Sequence, residues 1–246
     1  ENYEDKGSDY AAEGTDAHTL CEFRLRQALG LIAEDPRENL TWFNEEMDDC
    51  ATGYAAYVLE QVEEARQACT DPIVLIEQRV DFSRWVESGF GTADCILIAD
   101  GILQVCDYKH GRGILVDADE NPQMMCYALG ALEMFDSLYD IRTVRMTIYQ
   151  PRRDNVSTFE LPKEALYQWA DTVLKPTADL AFAGNGSFLC GEWCSFCKAK
   201  YDCRARAETN MDLARFDFKV PPLLEDKEVE EILARIDGLV AWASDI

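Results

Sequence analysis

The chain has 246 residues, of which 48% are apolar, so it is long enough for one large domain and can bury a real core. No apolar run approaches the roughly 18 residues of a membrane helix, and the acidic, polar first residues exclude a signal peptide in the residues given. The formal net charge of −24 argues against nucleic-acid binding over the whole surface, because phosphate contacts come from Lys and Arg. Any such binding must therefore be local.

Hydrophobic spacing predicts a mixture of helices and strands, and hence an α/β or α+β fold. In chain order we expect loose residues over 1–16, a helix over 17–30 capped by Asp16, a helix over 44–68, a strand over 73–82, strands over 92–99 and 102–108, a helix over 122–135, a strand over 144–149, a helix over 162–183 that is interrupted at Pro176, and an amphipathic helix over 227–243. The last helix ends without a cap, so we expect a continuation beyond it.

Asp100 and Gly101 lie between the second and third strand-like runs and are typical of a two-residue hairpin turn. With this turn, Asp94 faces Asp107 directly across the hairpin. Because strand side chains alternate, Lys109 shares their face. Four apolar side chains lie on the same face: Ile96, Ile98, Leu103 and Val105. The face therefore points to the core and ends in two carboxylates and an ammonium group.

Two carboxylates that face each other repel, and their position at the edge of a buried face adds a desolvation cost. A divalent cation between Asp94 and Asp107 offsets both effects, since Mg²⁺ takes one or two protein carboxylates and keeps waters. Lys109 is placed to hold an attacking water or to stabilise charge on a phosphate. The pattern favours phosphodiester hydrolysis, whereas the ordinary alternative is a strand cap at Asp94 and a solvated Asp107–Lys109 ion pair.

Three segments, GFGTAD (89–94), DYK (107–109) and QMMCY (123–127), resemble the PD-(D/E)xK nuclease superfamily. The chain looks most like the RecB-like branch, which includes phage-associated exonucleases and the AddB nuclease domain, and the resemblance covers roughly residues 13–206. It implies a restriction-endonuclease-like core with a central mixed β-sheet flanked by helices. It also implies that Asp94 and Asp107 bind the metal and that Lys109 is the catalytic lysine.

Gln123 and Tyr127 have the spacing of the branch's Q-x-x-x-Y motif and share one helix face, where they would orient the site or meet DNA. Gly14 and His18 have the spacing of its Gly-x-x-x-His segment, which implies that His18 is a further metal ligand. A lone histidine at a helix start is otherwise a surface or packing residue. Glu77 is a weaker candidate for supporting the site, because a solvated strand glutamate explains it equally well.

Four of the ten cysteines are bunched, and in a chain without a secretion signal this favours metal ligands over disulfides. The short spacing of Cys194, Cys197 and Cys203 lets them grip one metal. The resemblance implies a [4Fe–4S] cluster on these three, with Cys190 or Cys21 as a substitute for the family's distant fourth cysteine. A structural Zn²⁺ on Cys190 and the same three is the alternative, and unligated thiols are a third.

We therefore expect a RecB-like nuclease domain over 1–206, with its cysteine cluster over 190–203, and a truncated helical extension over 207–246. The expected protein is a cytoplasmic Mg²⁺- or Mn²⁺-dependent deoxyribonuclease, an exonuclease acting on DNA in phage recombination or end processing. Its expected partners are DNA, a phage recombination protein and a second copy of itself. Two alternatives stay open: an inactive nuclease-fold scaffold that binds DNA or a partner, and a small-molecule phosphohydrolase, which the negative charge favours.

Overall fold

The computed structural model of the protein describes residues 8–218 and 224–246, which fall into two compact units that divide between Asn185 and Gly186. The cysteine-bearing segment belongs to the same unit as the C-terminal helices, whereas the sequence placed the division after residue 206. No helix among the described residues has the length and apolar character needed to span a membrane.

The first unit combines helices and strands, as the hydrophobic spacing predicts. Its elements are α1 (Asp9–Ala28), α2 (Glu45–Ala68), β1 (Ile73–Asp81), β2 (Phe90–Ala99), β3 (Gly101–Tyr108), α3 (Pro122–Phe135), β4 (Ile141–Gln150), β5 (Asn155–Pro162), α4 (Lys163–Trp169) and α5 (Lys175–Phe182). The second unit contains α6 (Arg204–Met211) and α7 (Asp226–Asp245). A π-type turn over Ala170–Leu174 joins α4 to α5 just before Pro176, which has no N–H to donate.

One sheet runs through the first unit in the order β1-β2-β3-β4-β5. β3 and β4 are parallel and the other neighbours are antiparallel, so the predicted mixed sheet and α/β class are confirmed. The hairpin register is also as predicted, with Ala99 opposite Ile102 and Cys95 opposite Cys106. Gly101 supplies the left-handed turn conformation with φ of +90°. Two elements, β5 and α6, were not predicted from the sequence.

Both faces of β2 and β3 are buried, and each belongs to a separate core. The face predicted to point inward packs against α3 and α4, with Ile96, Leu103 and Val105 in its core. Leu97 and Tyr108 lie on the opposite face, in a second core with α1 and α2. Burial on both faces explains why the two strands read as nearly continuous apolar runs.

The start of α1 differs from the prediction. The helix begins at Asp9, and its cap is Ser8, whose hydroxyl accepts a hydrogen bond from Ala11 N at 3.1 Å. Asp16 lies inside the helix and accepts a hydrogen bond from Trp42 N at 2.8 Å, so it serves a tertiary contact and not a cap. The predicted bounds of α3 are confirmed, and Asn121 caps it by accepting from Gln123 N at 3.1 Å.

The close packing of α3 on β1 depends on Gly130. A Cβ there would lie 2.8 Å from Val80 Cβ and 3.1 Å from the backbone N and O of Asp81, closer than side chains normally approach. The glycine therefore lets helix and strand meet at van der Waals distance.

We expect Gly130→Ala to destabilise the protein by about 1–3 kcal/mol, because overpacking outweighs the helix propensity of Ala. Urea unfolding measures the change. Gly14→Ala in α1 is the control: no atom lies within 4 Å of the added Cβ, so it should stabilise by up to about 1 kcal/mol. Equal effects of the two substitutions would contradict this account of the contact.

Candidate active site

The candidate site begins where the β2–β3 hairpin leaves its ladder. Regular pairing ends at Cys95 and Cys106, and the next residues are Asp94 and Asp107. Here the Asp94 side chain replaces a backbone acceptor, because its Oδ2 accepts a hydrogen bond from Tyr108 N at 2.7 Å. This bond fixes the Asp94 carboxylate across the hairpin and leaves its other oxygen to face α1.

Asp107 is only 3% exposed, so its charge is costly. Burial and the neighbouring charge of Asp94 raise its pKa to about 6, although the Lys109 ammonium lowers it in part. Lys109 Nζ lies 2.8 Å from Asp107 Oδ2, but the contact is an ion pair without hydrogen-bond angles. The partner of the buried Oδ2 is thus the Lys109 ammonium, in an ion pair whose angles are poor for a hydrogen bond.

Lys109 is itself largely enclosed. Burial disfavours its ammonium form, but the Asp107 carboxylate outweighs burial and raises the lysine pKa, so the side chain is charged. Its Nζ also donates a hydrogen bond to Gln123 Oε1 at 3.2 Å. The ammonium group is therefore held between a strand carboxylate and the first turn of α3.

Gln123 and Tyr127 reach the site together, as their spacing predicts. Gln123 Nε2 donates to Tyr127 OH at 3.0 Å, which orients the amide oxygen toward Lys109. The Tyr127 ring lies over Gly91, where a Cβ would come within 2.3 Å of ring atom Cε1. The absence of a side chain at Gly91 makes room for this tyrosine.

His18 lies opposite, on α1, with its Nδ1 3.1 Å from Asp94 Oδ1. Burial lowers the His18 pKa, but the hydrogen bond to Asp94 and the charges of Asp94 and Asp107 outweigh it, so the pKa is raised. The imidazolium form neutralises part of the carboxylate charge. A metal at this position would displace that proton, because only neutral imidazole is a ligand.

Glu77 joins the same group, a role that the sequence suggested only weakly. Ligand atoms of His18, Glu77 and Asp94 all lie within 4.8 Å of one another. Glu77 has a left-handed φ of +51°, and the β1–β2 ladder is interrupted there. Burial and the charge of Asp94 raise its pKa to about 7. No periodicity predicts such an irregular residue, so the sequence carried no clear signal for it.

His110 points to the opposite face, as alternation predicts, and is buried. Its Nδ1 lies 2.8 Å from Tyr108 OH, and its Nε2 lies 3.4 Å from Glu13 Oε1. The Tyr108 ring in turn meets the His18 ring edge-on, with centroids 5.7 Å apart. His110 therefore supports the packing behind His18 and does not face solvent.

The cysteine segment belongs to the second unit. Cys190 and Cys194 come together, with their Sγ atoms 3.8 Å apart, while Cys197 is exposed and Cys203 immediately precedes α6. Among the described residues, no three-residue ligand group includes a cysteine. Cys21 lies in the first unit, buried in the core with α1 and α2.

The fold and this site define an α/β protein with carboxylate, histidine and lysine side chains gathered at the end of a mixed sheet. The chain matches the family model DUF2800, described as a protein of unknown function, over residues 1–246, and it belongs to this family. Among solved structures, one titled "Crystal structure of SSO0001" is similar at 13% sequence identity and a TM-score of 0.27, covering 78% of this chain and 98% of that chain.

The buried Asp107 generates a pH prediction for the metal-free protein. The pKa of Asp107 in the folded protein, about 6, exceeds the ordinary 3.8. The contribution of this carboxyl group to the free energy of unfolding is therefore fully present below pH 4 and is lost as pH rises through 6. The penalty at pH 7 is on the order of 2–3 kcal/mol. The test is urea unfolding in the presence of a chelator. Between pH 4 and 7 the free energy of unfolding of Asp107→Asn should fall less than that of the wild type, by roughly this amount.

Asp117→Asn is the matched control. Ser157 and nearby backbone N–H groups lower the Asp117 pKa, so its stabilisation is lost as pH falls and the difference from wild type has the opposite sign. An Asp107→Asn profile parallel to that of wild type would refute the assigned shift.

Proposed function

We propose that this protein is a metal-dependent deoxyribonuclease of the RecB-like PD-(D/E)xK type, an exonuclease that hydrolyses phosphodiester bonds at DNA ends. The observation that carries the proposal is the convergence of Asp94, Asp107 and Lys109 with His18 at one end of the sheet. Proton-accepting, cation-binding and anion-binding groups thus share one site, as phosphodiester hydrolysis requires.

The residues present fit a divalent cation. His18, Glu77 and Asp94 have ligand atoms within mutual reach, and the buried Asp107 Oδ2 beside them is paired with Lys109 without a well-aligned hydrogen bond. Imidazole is a better ligand for Mn²⁺ than for Mg²⁺, so His18 favours manganese among the two. When bound, such a cation lowers the pKa of a coordinated water and neutralises charge on a phosphate.

Lys109 acts on the substrate in this proposal. Because Asp107 keeps its Nζ protonated, the ammonium donates hydrogen bonds to the attacking water or to a phosphate oxygen on which charge develops. Gln123 fixes the ammonium position from the other side and is itself held by Tyr127. Gln123 and Tyr127 therefore have the proposed role of orienting Lys109.

The cysteine segment is proposed to hold a [4Fe–4S] cluster through Cys194, Cys197 and Cys203. The 3.8 Å approach of Cys190 to Cys194 favours Cys190 over the core residue Cys21 as the fourth ligand. A tetrahedral Zn²⁺ on these four thiolates is the alternative. Iron, sulfide and zinc contents of anaerobically purified protein separate the two.

The wider setting follows from the resemblance alone. The resemblance supports a cytoplasmic role in phage recombination or DNA end processing, with a phage recombination protein as partner. Self-association is proposed through α7, on which Val229, Leu233 and Val240 are exposed.

Lys109→Ala should lower the rate of digestion of end-labelled linear DNA, duplex or single-stranded, at least about 100-fold, because a donor to developing charge is lost. The assay contains Mn²⁺ or Mg²⁺, with a chelator blank. Lys175→Ala, a half-exposed lysine of α5, is the matched control and should keep the wild-type rate. Intact DNA with every protein would favour the scaffold alternative, and cleavage of nucleotides but not polymers would favour the phosphohydrolase.

Mn²⁺ should raise the thermal unfolding temperature of the wild type, since a ligand that binds only the folded state stabilises it. Glu77→Gln should weaken the affinity derived from that shift roughly tenfold or more. Glu87→Gln, at an exposed position before β2, should leave it unchanged. The metal assignment fails if Mn²⁺ leaves the unfolding temperature of the wild type unaltered.

A further inference from the structure

An arginine and a phenylalanine stack on each other at the edge of the sheet, on the two strands that carry Glu77 and Asp94. The guanidinium carbon of Arg79 in β1 lies 3.8 Å from the centroid of the Phe90 ring in β2. Phe90 nevertheless stays 56% exposed, and Arg79 is exposed as well. The pair therefore offers solvent an aromatic surface with a cation held against it.

The stacked pair lies on the same face of the sheet as the candidate site. Gly91 faces α3, since a Cβ there would come within 2.3 Å of the Tyr127 ring. Because strand side chains alternate, Phe90 and Asp94 lie on the face turned away from α3, where His18 of α1 contacts Asp94. Phe90 precedes Asp94 by four residues, or roughly 13 Å along the strand.

Arg79 belongs to the same strip of side chains. On β1 it follows Glu77 by two residues and lies directly opposite Thr92 of β2. Thr92 is exposed and stands midway between Phe90 and Asp94 along β2. The Asp94 side chain is 12% exposed, so exposure increases along the strip toward Phe90. A ligand that reaches the carboxylates along β2 therefore passes the stacked pair.

The Arg79 charge is not neutralised by a carboxylate. Within residues 8–185, every lysine and arginine except Arg79 and Arg153 lies within 4.0 Å of a carboxylate oxygen. Asp81, two residues further along β1, instead accepts a hydrogen bond from Ser83 N at 2.8 Å. In a chain with a net charge of −24, this guanidinium is left available to an anionic ligand.

Resting on the proposed function, we propose that Phe90 and Arg79 form a nucleotide-binding subsite for the DNA strand whose phosphate reacts beside Asp94 and Lys109. An unpaired base stacks on the exposed Phe90 ring, and the Arg79 guanidinium donates hydrogen bonds to a phosphate of the same strand. Aromatic stacking accepts any base, and a planar guanidinium matches the oxygens of a phosphate. The occupant is thus an unpaired stretch of DNA, bound without preference for sequence.

The test measures binding of a dye-labelled oligothymidine by fluorescence anisotropy at several salt concentrations, with Mn²⁺ present and Lys109→Ala protein to prevent digestion. Phe90→Leu keeps an apolar side chain but removes the ring, so affinity should fall about tenfold at every salt concentration. Arg79→Gln should also lower affinity. It should in addition reduce the slope of log affinity against log salt concentration by about 0.7, the value for one phosphate contact on a single strand.

Phe182→Leu and Arg142→Gln are the matched controls. Phe182 is 67% exposed at the end of α5, and Arg142 is exposed beside Gly101, at the other end of the sheet. Both substitutions should leave the affinity and its salt dependence unchanged. The subsite is overturned if Phe90→Leu binds as tightly as its control, if Arg79→Gln keeps the full slope, or if the oligothymidine does not bind.

Digestion kinetics separate the subsite from the nuclease. In protein with an intact Lys109, Phe90→Leu and Arg79→Gln should each raise KM for the oligothymidine about tenfold and leave kcat unchanged, because they remove binding away from the reacting phosphate. Digestion with an unaltered KM in both variants keeps the nuclease and overturns the subsite. Binding that depends on both side chains, without digestion of any DNA, keeps the subsite and overturns the nuclease.

Discussion

Asp94 and Asp107 lie side by side just beyond the last regular pair of the β2–β3 ladder, and most of the site can be understood as a response to their mutual repulsion. Tyr108 N and His18 hold the two oxygens of Asp94, and Lys109 lies against Asp107. Yet the Asp107 pKa stays raised to about 6, because burial and the charge of Asp94 outweigh the effect of Lys109. The neighbours thus neutralise the pair only in part. A site kept short of positive charge is suited to recruit a cation, at the expense of stability in its absence.

Glu77 adds further negative charge to the site. A third carboxyl near Asp94 adds repulsion that a purely structural site would avoid, and the left-handed backbone at Glu77 adds local strain. Within residues 8–218 and 224–246, no side-chain hydrogen bond to Glu77 offsets either cost. Both costs are reasonable where the carboxyl group has a ligand to bind.

The parts of this arrangement that depend on neighbours in sequence could be predicted, and the parts that depend on tertiary contacts could not. The turn at Asp100 and Gly101 sets the hairpin register, and a four-residue spacing puts Gln123 and Tyr127 on one helix face. The start of α1 was missed because Asp16 resembles a cap but bonds to Trp42 N, far away in sequence. Burial alternates along β5, whose sequence is largely polar, and the segment forms a strand by pairing with β4.

The strong negative charge bears on how DNA would be held. Several basic side chains near the site are already neutralised, since Arg112 pairs with Glu46 and Arg152 with Glu13. These two arginines would then release few counterions on contact with phosphates. In the proposed nuclease, a cation bound at the carboxylates would therefore supply positive charge that these two arginines do not.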